Sequence, residues 1–391
     1  MRKICHPGFN GFSLVELLIG LTVGLIVVAG LTTIYANSSR SQAELQKSAA
    51  QIENGRYAME VISADLHLAG FYGDFANLPP LQSSTMAVPA TLPDPCATST
   101  ANLLAALPLP LQGYDSPSST PISGCVASAN FLSGTDILVI RRASTAALAS
   151  TATPVTNEIY LQANTDSADI QAGNSGSTIG TTRKADGSTA TIMKKNFATG
   201  NFDLAADIRK YEVHIYFVAP CSVPNGGGTT CTGSADDNGS PIPTLKRLEL
   251  TSDGTTTVLN VVPLVEGIQN LQIEYGIDDT PNSADISTGF VGDGAPDSYI
   301  TSPSAAALST TIPATLSNWQ NVVATKVFIL ARNTSQTNGF TDTKTYCLGS
   351  LDSTGACPTA ATFGPFNDRY KRHVYSAQVR LTNPSSRREV P

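Results

Sequence analysis

Residues 17–34 form a run of eighteen positions without a charged side chain, and this run constrains the fold more than any other part of the chain. As a helix rising about 1.5 Å per residue, it covers most of the roughly 30 Å hydrocarbon core of a bilayer. Arg2, Lys3 and His6 stand ahead of it, while the long remainder behind it is polar and acidic. That asymmetry predicts one membrane span with the N-terminus in the cytoplasm.

Glu16 sits at the cytoplasmic edge of the run. An ionisable side chain costs up to about 2.5–3.5 kcal/mol at the centre of a membrane helix and less near the interface, so a partner is expected. Were the chain cut between Gly11 and Phe12, the new α-amine would lie four residues before Glu16 on the same helix face. Amine and carboxylate would then neutralise each other, within one chain or between neighbours. The other reading is a glutamate snorkelling at the end of an uncleaved signal anchor. The glutamate alone does not choose between them.

The heptapeptide Asn10-Gly11-Phe12-Ser13-Leu14-Val15-Glu16 shifts the balance. Ahead of an apolar helix it resembles the type IV prepilin signature, in which a dedicated peptidase cuts after the glycine and methylates the exposed phenylalanine. The resemblance implies that Gly11 precedes the cut, that Phe12 becomes the methylated N-terminus, and that Glu16 guides the subunit into a growing fibre. A conventional secretory signal has a shorter apolar region and is cut behind it, so the membrane segment is lost. Here the helix is kept.

Loss of the leader removes Cys5, Arg2 and Lys3, taking the net charge from -7 to -9, with 22 Lys+Arg against 31 Asp+Glu. No basic patch suggests nucleic acid, and the acidic balance suits an extracytoplasmic body. Gly20 and Gly24 make a GxxxG pair that lets another helix approach closely, although glycine is common in membrane helices as mere packing slack. Most major pilins carry a helix-breaking proline in the second half of this helix, and this chain has none there. After Tyr35 the helical spacing continues through Leu45, Ala49, Ile52, Met59, Ile62 and Leu66. Unbroken from Leu14 to Leu68, such a helix is on the order of 80 Å long. Gly55 weakens it by about 1 kcal/mol relative to alanine, and Gly70 and Gly73 supply a stop.

From residue 77 to 135 the chain is rich in Pro, Ser, Thr and Ala and reads as long loops stapled across a core edge. Runs of β-branched and aromatic residues at 136–142, 158–162, 211–218, 245–250, 256–262, 271–275, 322–331 and 373–382 read as strands. Residues 211–218 and 374–381 alternate as half-buried antiparallel strands should. The stretches 164–187, 225–240 and 281–303 read as surface loops. The expected organisation is a leader over 1–11, a transmembrane helix over 12–35, an amphipathic continuation over 36–70 and an extracytoplasmic β-rich domain over 71–391. The fold class is α+β and pilin-like, a long N-terminal helix packed on a mostly antiparallel sheet body.

Six cysteines remain after the leader: Cys96, Cys125, Cys221, Cys231, Cys347 and Cys357. Six cysteines allow 15 connectivities, and the spacing favours sequential pairs in an oxidising compartment. Closing Cys221 to Cys231 around Asn225-Gly226-Gly227-Gly228 would confer roughly 2–3 kcal/mol on chain-entropy grounds. Zinc is the rival reading, but there is no Cys-x-x-Cys pair, and His67, His214 and His373 are isolated. The chain lacks a Gly-x-Ser-x-Gly elbow, a Walker loop, a His-Glu-x-x-His pair and a dinucleotide glycine fingerprint, so no catalytic residues and no enzyme activity are expected. His214 within an alternating strand and His373 beside Lys371 and Arg372 both read as structural or surface histidines.

No cofactor is expected, with calcium as a minority reading at one place. Asp278, Asp279, Asp285, Asp293 and Asp297 crowd a glycine-containing loop, and calcium takes six to eight oxygens at about 2.3–2.6 Å. The spacing does not match a twelve-residue EF-hand, which leaves a solvated acidic loop as the plainer reading.

Three later blocks extend the resemblance. The segment from Leu264-Val265-Glu266-Gly267-Ile268-Gln269-Asn270-Leu271 to Gln272-Ile273-Glu274-Tyr275-Gly276-Ile277-Asp278 is similar to the PilW family of minor pilins. So are Asn318-Trp319-Gln320-Asn321-Val322-Val323-Ala324 and Arg372-His373-Val374-Tyr375-Ser376-Ala377-Gln378-Val379-Arg380-Leu381. This resemblance implies a low-abundance subunit that joins other minor pilins and the major pilin, primes type IV pilus assembly, whether the pilus serves adhesion, twitching motility or DNA uptake, and sits near the fibre tip. Its implied partners include the prepilin peptidase, an inner-membrane assembly platform and a tip adhesin, and its implied location is the inner membrane, with a periplasmic C-terminal domain, and then the pilus. The J pseudopilin of type II secretion shares the leader, the helix and a β-rich body, while length and the terminal blocks favour the pilus. A signal-anchored periplasmic enzyme or binding protein is the more distant alternative.

Overall fold

The computed structural model describes residues 11–75, 89–149, 153–173, 182–183, 189–190, 192–278, 292–304 and 316–388. The leader before Gly11 lies outside them. Contacts divide the chain into two units, residues 1–50 and 51–391, and one helix, Leu14–Leu68, contributes to both. It ends where expected, because Gly70 and Gly73 take positive φ values of 71° and 68°, a conformation that glycine adopts without a Cβ penalty.

In the second unit the helix buries Gln51, Gly55, Ala58, Ile62, Asp65 and Leu66. This seam differs from the stripe read in the sequence. Leu45 is 68 % exposed and Ile52 49 %, Ala49 is exposed, and only Ile62 and Leu66 of the expected set are buried. The reason is the closeness of the sheet. A Cβ on Gly55 would lie 2.5 Å from Cδ2 and 2.6 Å from Cζ of Tyr375, so small residues line the contact and the larger apolar ones fall beside it. Gln51 closes the upper end by donating to the carbonyls of Ala331 at 2.8 Å and Lys371 at 3.1 Å.

Among the described residues the body holds two large antiparallel sheets and three two-stranded pairs. In the first the order is Leu111–Tyr114, Ile137–Ala147, Ile208–Ala219, Thr244–Ser252 and Thr257–Glu266, with Ile159–Ala163 also paired to Ile208–Ala219 and Ala168–Ala172 paired in turn to Ile159–Ala163. In the second the order is Ser298–Ile300, Ile268–Ile277, Val322–Arg332 and Arg372–Arg380. Gly267 carries the chain from one sheet to the other at φ 78°. A Cβ there would stand 2.6 Å from the Arg332 carbonyl oxygen, which accounts for the glycine in that block.

The main core lies among the helix and both sheets, drawing on Ala58, Ile62, Leu66, Leu138, Ile140, Tyr216, Val218, Leu271, Ile273, Val327 and Ile329. Alternate residues of the first sheet, Ile137, Val139, Val213, Ile215 and Phe217, enter a second cluster with Tyr72, Leu103, Leu107 and Ile122. The Ile208–Ala219 strand is therefore buried on both faces over its second half, not half-buried as its alternation suggests. The covering comes from the segment read as loops. Thr100–Ala105 is a short helix capped by the Ser99 hydroxyl, whose Leu103 enters the second cluster with Leu107, while Leu111–Tyr114 is a strand of the first sheet whose Leu111 enters the main core. Ala168–Ala172 and Ser298–Ile300 likewise form strands inside stretches read as surface loops. Short strands flanked by Ser, Gly and Asp take their order from pairing, which composition does not record.

Candidate functional site

The N-terminal segment is built for contact outside its own chain. Every large apolar side chain between Leu14 and Tyr35 is exposed, and Phe12 is 85 % exposed. The helix contains a window of mean hydropathy 2.5, long and apolar enough to cross a membrane. Ser13 stands just before its first residue, and its carbonyl accepts from Leu17 N at 3.1 Å. Glu16 lies in the first turn, where the unpaired N–H groups of the helix start favour a carboxylate by about 0.3–1 kcal/mol. Within the helix, Thr22 donates to the Ile19 carbonyl, and Thr32 and Thr33 donate to that of Ala29, each at 2.9 Å. No hydroxyl of the three is left needing water. A Cβ added at Gly20 or Gly24 would meet nothing within 4 Å, so among the described residues nothing fills the space that the two glycines leave.

The last turns of the helix are fixed to the first sheet by a buried carboxylate. Asp65 accepts from Arg142 Nε at 2.7 Å and from the Tyr216 hydroxyl at 2.9 Å, and its Oδ2 lies 2.6 Å from His214 Nδ1. Arg142 also pairs with Glu212 at 2.5 Å, and Arg247 donates to the Tyr216 hydroxyl at 3.2 Å. Burial pushes the Asp65 carboxyl up, but His214 and Arg142 outweigh it and hold the group at about 2. His214 thus takes the structural part expected of it. His373 packs edge-on to Tyr375 at 4.8 Å, and His67 Nδ1 lies 3.2 Å from the Arg380 carbonyl oxygen, so the three histidines lie apart in the fold.

The acidic loop is organised around an arginine. Asp278 and Arg388 are fully buried, with Arg388 Nε 3.0 Å from Asp278 Oδ2 and Arg388 Nη2 donating to the Asp278 carbonyl at 2.9 Å. Gly294 N donates to the same carboxylate at 2.7 Å. Burial pushes the Asp278 carboxyl up, and Arg388 pulls against it. Asp293 accepts from Ala295 N at 2.9 Å, and the backbone N–H of Asp297 donates to Ile277 O at 2.8 Å. Asp279 and Asp285 lie outside the described residues.

Disulfides join Cys96 to Cys125, Cys221 to Cys231 and Cys347 to Cys357. Cys221, Cys231 and Asp236 come close enough together to suggest a metal site, but both sulfurs are bonded to each other. Asp236 already accepts from the backbone N–H groups of Asn225, Thr232 and Gly233 and from the Thr232 hydroxyl. Sequence reasoning passed over Asp65 and Arg388, and read Gly55 only as a weak point of the helix. A signal existed for Asp65, an acid adjoining Leu66 and three residues past Ile62 on a helix, where a buried acid needs partners.

Two family models match the chain. One, described as Prokaryotic N-terminal methylation motif, covers residues 7–32. The other, described as Type IV Pilus-assembly protein W, covers residues 232–383, a span that takes in the second sheet and the three blocks quoted above. No curated protein matches. Among solved structures, a type IV-like pilin from Thermus thermophilus matches at 14 % identity, covering 45 % of this chain and 79 % of its own, with a TM-score of 0.19. The chain thus carries a prokaryotic N-terminal methylation motif over residues 7–32, at the head of an exposed helix long and apolar enough to cross a membrane, and is similar to the pilus-assembly protein W family over residues 232–383 of its β body.

Proposed function

We propose that this chain is a minor pilin that co-assembles with other minor pilins to prime type IV pilus biogenesis and takes a place near the fibre tip. The observation that carries the reading is the exposed apolar stretch of the helix that begins at Leu14, two residues after Phe12, behind a methylation motif. Before assembly the protein sits in the inner membrane as a single span, with its β body in the periplasm. The prepilin peptidase cuts after Gly11 and methylates Phe12. Glu16 then docks against the N-terminal amine of a neighbouring pilin, and Gly20 and Gly24 let that neighbour's helix approach closely. The major pilin, an assembly platform and a tip adhesin are the further partners of such a subunit. Its role is assembly, without a catalytic step.

The test is the N-terminal peptide mass of the full-length protein expressed with and without the prepilin peptidase of its host. A peptidase-dependent chain starting at methylated Phe12 is expected; a chain starting at Met1 in both cells would overturn the reading. In the host, Glu16→Ala is expected to leave membrane insertion intact while reducing surface pili. Normal piliation in that variant would remove the docking role.

A further inference from the structure

The edge of a sheet carries unpaired N–H and C=O groups, and natural edges are closed by brevity, charge or cover. Most edges of the two large sheets follow this rule. Leu111–Tyr114 is short and largely buried, and Ser298–Ile300 spans three residues. Ala168–Ala172 lies against the helix Thr100–Ala105 and carries Asp169. Arg372–Arg380 is long, but an arginine stands at each end, and His67 Nδ1 comes within 3.2 Å of the Arg380 carbonyl oxygen. Thr257–Glu266 differs. It is the last strand of the first sheet, and among the described residues no strand pairs with its far side. No charged residue lies between Thr257 and Val265, and Asn260 and Val261 are exposed, Val261 to 44 %.

The register fixes which groups point outward. Asp253 N–H donates to the Thr256 carbonyl at 3.1 Å and closes the hairpin between Thr244–Ser252 and Thr257–Glu266. Counting from that bonded pair, antiparallel alternation makes Thr251 with Val258, Glu249 with Asn260 and Arg247 with Val262 the hydrogen-bonded partners. Leu259 and Val261, opposite Leu250 and Leu248, therefore turn N–H and C=O away from the sheet. Pro263 shares that orientation, so its missing N–H costs the ladder nothing, and it ends the open stretch. At the other end the Thr257 hydroxyl donates to the Asn157 carbonyl at 2.6 Å. The outward groups recur every second residue, about 7 Å apart, which is the repeat of another extended polypeptide. A charged partner would find no counter-charge along this edge. On the single-span reading above, a second copy is a poor occupant. The helix passes from Asn54, which donates to the Glu266 carbonyl, to Asp65, which meets His214 and Tyr216, and antiparallel self-pairing would run the two copies' helices in opposite directions. We propose that Thr257 to Val262 is a docking edge that takes an extended, uncharged segment of a different protein chain as an added strand.

The full-length protein in detergent micelles is titrated with a capped peptide of alternating threonine and valine, and amide hydrogen exchange is followed residue by residue. In the free protein Leu259 and Val261 are expected to exchange freely, while Val258, Asn260 and Val262 are protected. The peptide should slow Leu259 and Val261 saturably, by roughly tenfold or more, and leave the other three unchanged. Val261→Pro removes an outward N–H that the fold does not use and is expected to weaken peptide binding about tenfold. If that variant fails to fold, Val261→Lys supplies the kind of charge that closes other edges and should also weaken binding. Slow exchange at Leu259 and Val261 in the free protein, no protection by the peptide up to its solubility limit, or equal protection in the wild type and either variant would overturn the proposal. So would a wild-type dimer that Val261→Pro dissociates, since the edge would then belong to a second copy.

Discussion

Gly55→Ala sets two effects of known size against each other. In an isolated helix the change is favourable by about 1 kcal/mol, so propensity alone predicts a more stable protein. The structure predicts the reverse. The new methyl carbon would lie 2.5 Å and 2.6 Å from two ring carbons of Tyr375, with a third closer still, far inside the roughly 3.5–4.0 Å at which carbons attract. The ring is held by its edge-on contact with His373 at 4.8 Å and sits on a strand hydrogen-bonded to Val322–Arg332, so relief requires shifting the helix or turning the ring out. Overpacking of this kind costs typically about 1–3 kcal/mol. For a contact this close the upper part of that range, about 2–3 kcal/mol, applies, so after the propensity gain a loss of about 1–2 kcal/mol is expected. Urea unfolding of the full-length protein in detergent, followed by Trp319 emission, measures it. In a Tyr375→Ala background the same substitution should turn neutral or stabilising, because only the propensity gain remains. A Gly55→Ala protein as stable as the wild type with Tyr375 in place would refute the steric argument.

Asp65 makes a pH prediction of definite sign. Its carboxyl is held at about 2 in the fold against 3.8 unperturbed, so its contribution of about 2 kcal/mol is present above pH 4 and is lost as pH falls toward 2. Urea midpoints between pH 5 and 2 should therefore fall more steeply in the wild type than in Asp65→Asn, and parallel curves would count against the network. Arg388→Met strands a buried carboxylate and is expected to destabilise by about 3–5 kcal/mol, while pairing it with Asp278→Asn should recover much of that loss; equal losses in the single and double variants would sink this account. Arg388 already supplies the counter-charge to Asp278, so calcium and chelator should give the same Tm. A calcium-dependent rise that disappears in Asp293→Ala combined with Asp297→Ala would establish an ion site instead.

The helix was legible from end to end because its signals are local: an uncharged run, a three- and four-residue repeat, and glycines at the stop. The long strands were legible for the same reason, since Ile208–Ala219 and Val322–Arg332 carry β-branched and aromatic residues in nearly unbroken series. Their burial was not. Whether the outer face of Val213, Ile215 and Phe217 meets solvent or protein depends on residues such as Leu103 and Leu107, about a hundred positions away, and alternation looks the same in both cases. The buried seam of the helix was misplaced because Gly55 and Ala58 earn no weight on a hydrophobic scale, yet their small size admits Tyr375. At residue 278 the sequence showed an acid at the head of an acidic loop but not its partner, because Arg388, which donates to Asp278, lies more than a hundred residues further on. The N-terminal segment is the opposite case, since its motif is contiguous and its exposure follows from composition.

The ties that close the body on the helix join distant parts of the sequence. Gln51 reaches Lys371 across 320 positions, Asn383 donates to Ala69 across 314, and Arg387 donates to Gly70 across 317. None can form until residues beyond 370 have been made. During synthesis the helix face of Gln51, Ala58, Ile62 and Leu66 therefore waits without its final cover while the first sheet assembles, and the closing step carries the loop-closure entropy of nearly the whole domain. The order of events is thus written into the topology: the first element to emerge is among the last to be locked, and a nascent chain released before residue 380 would expose an adhesive strip along its own anchor.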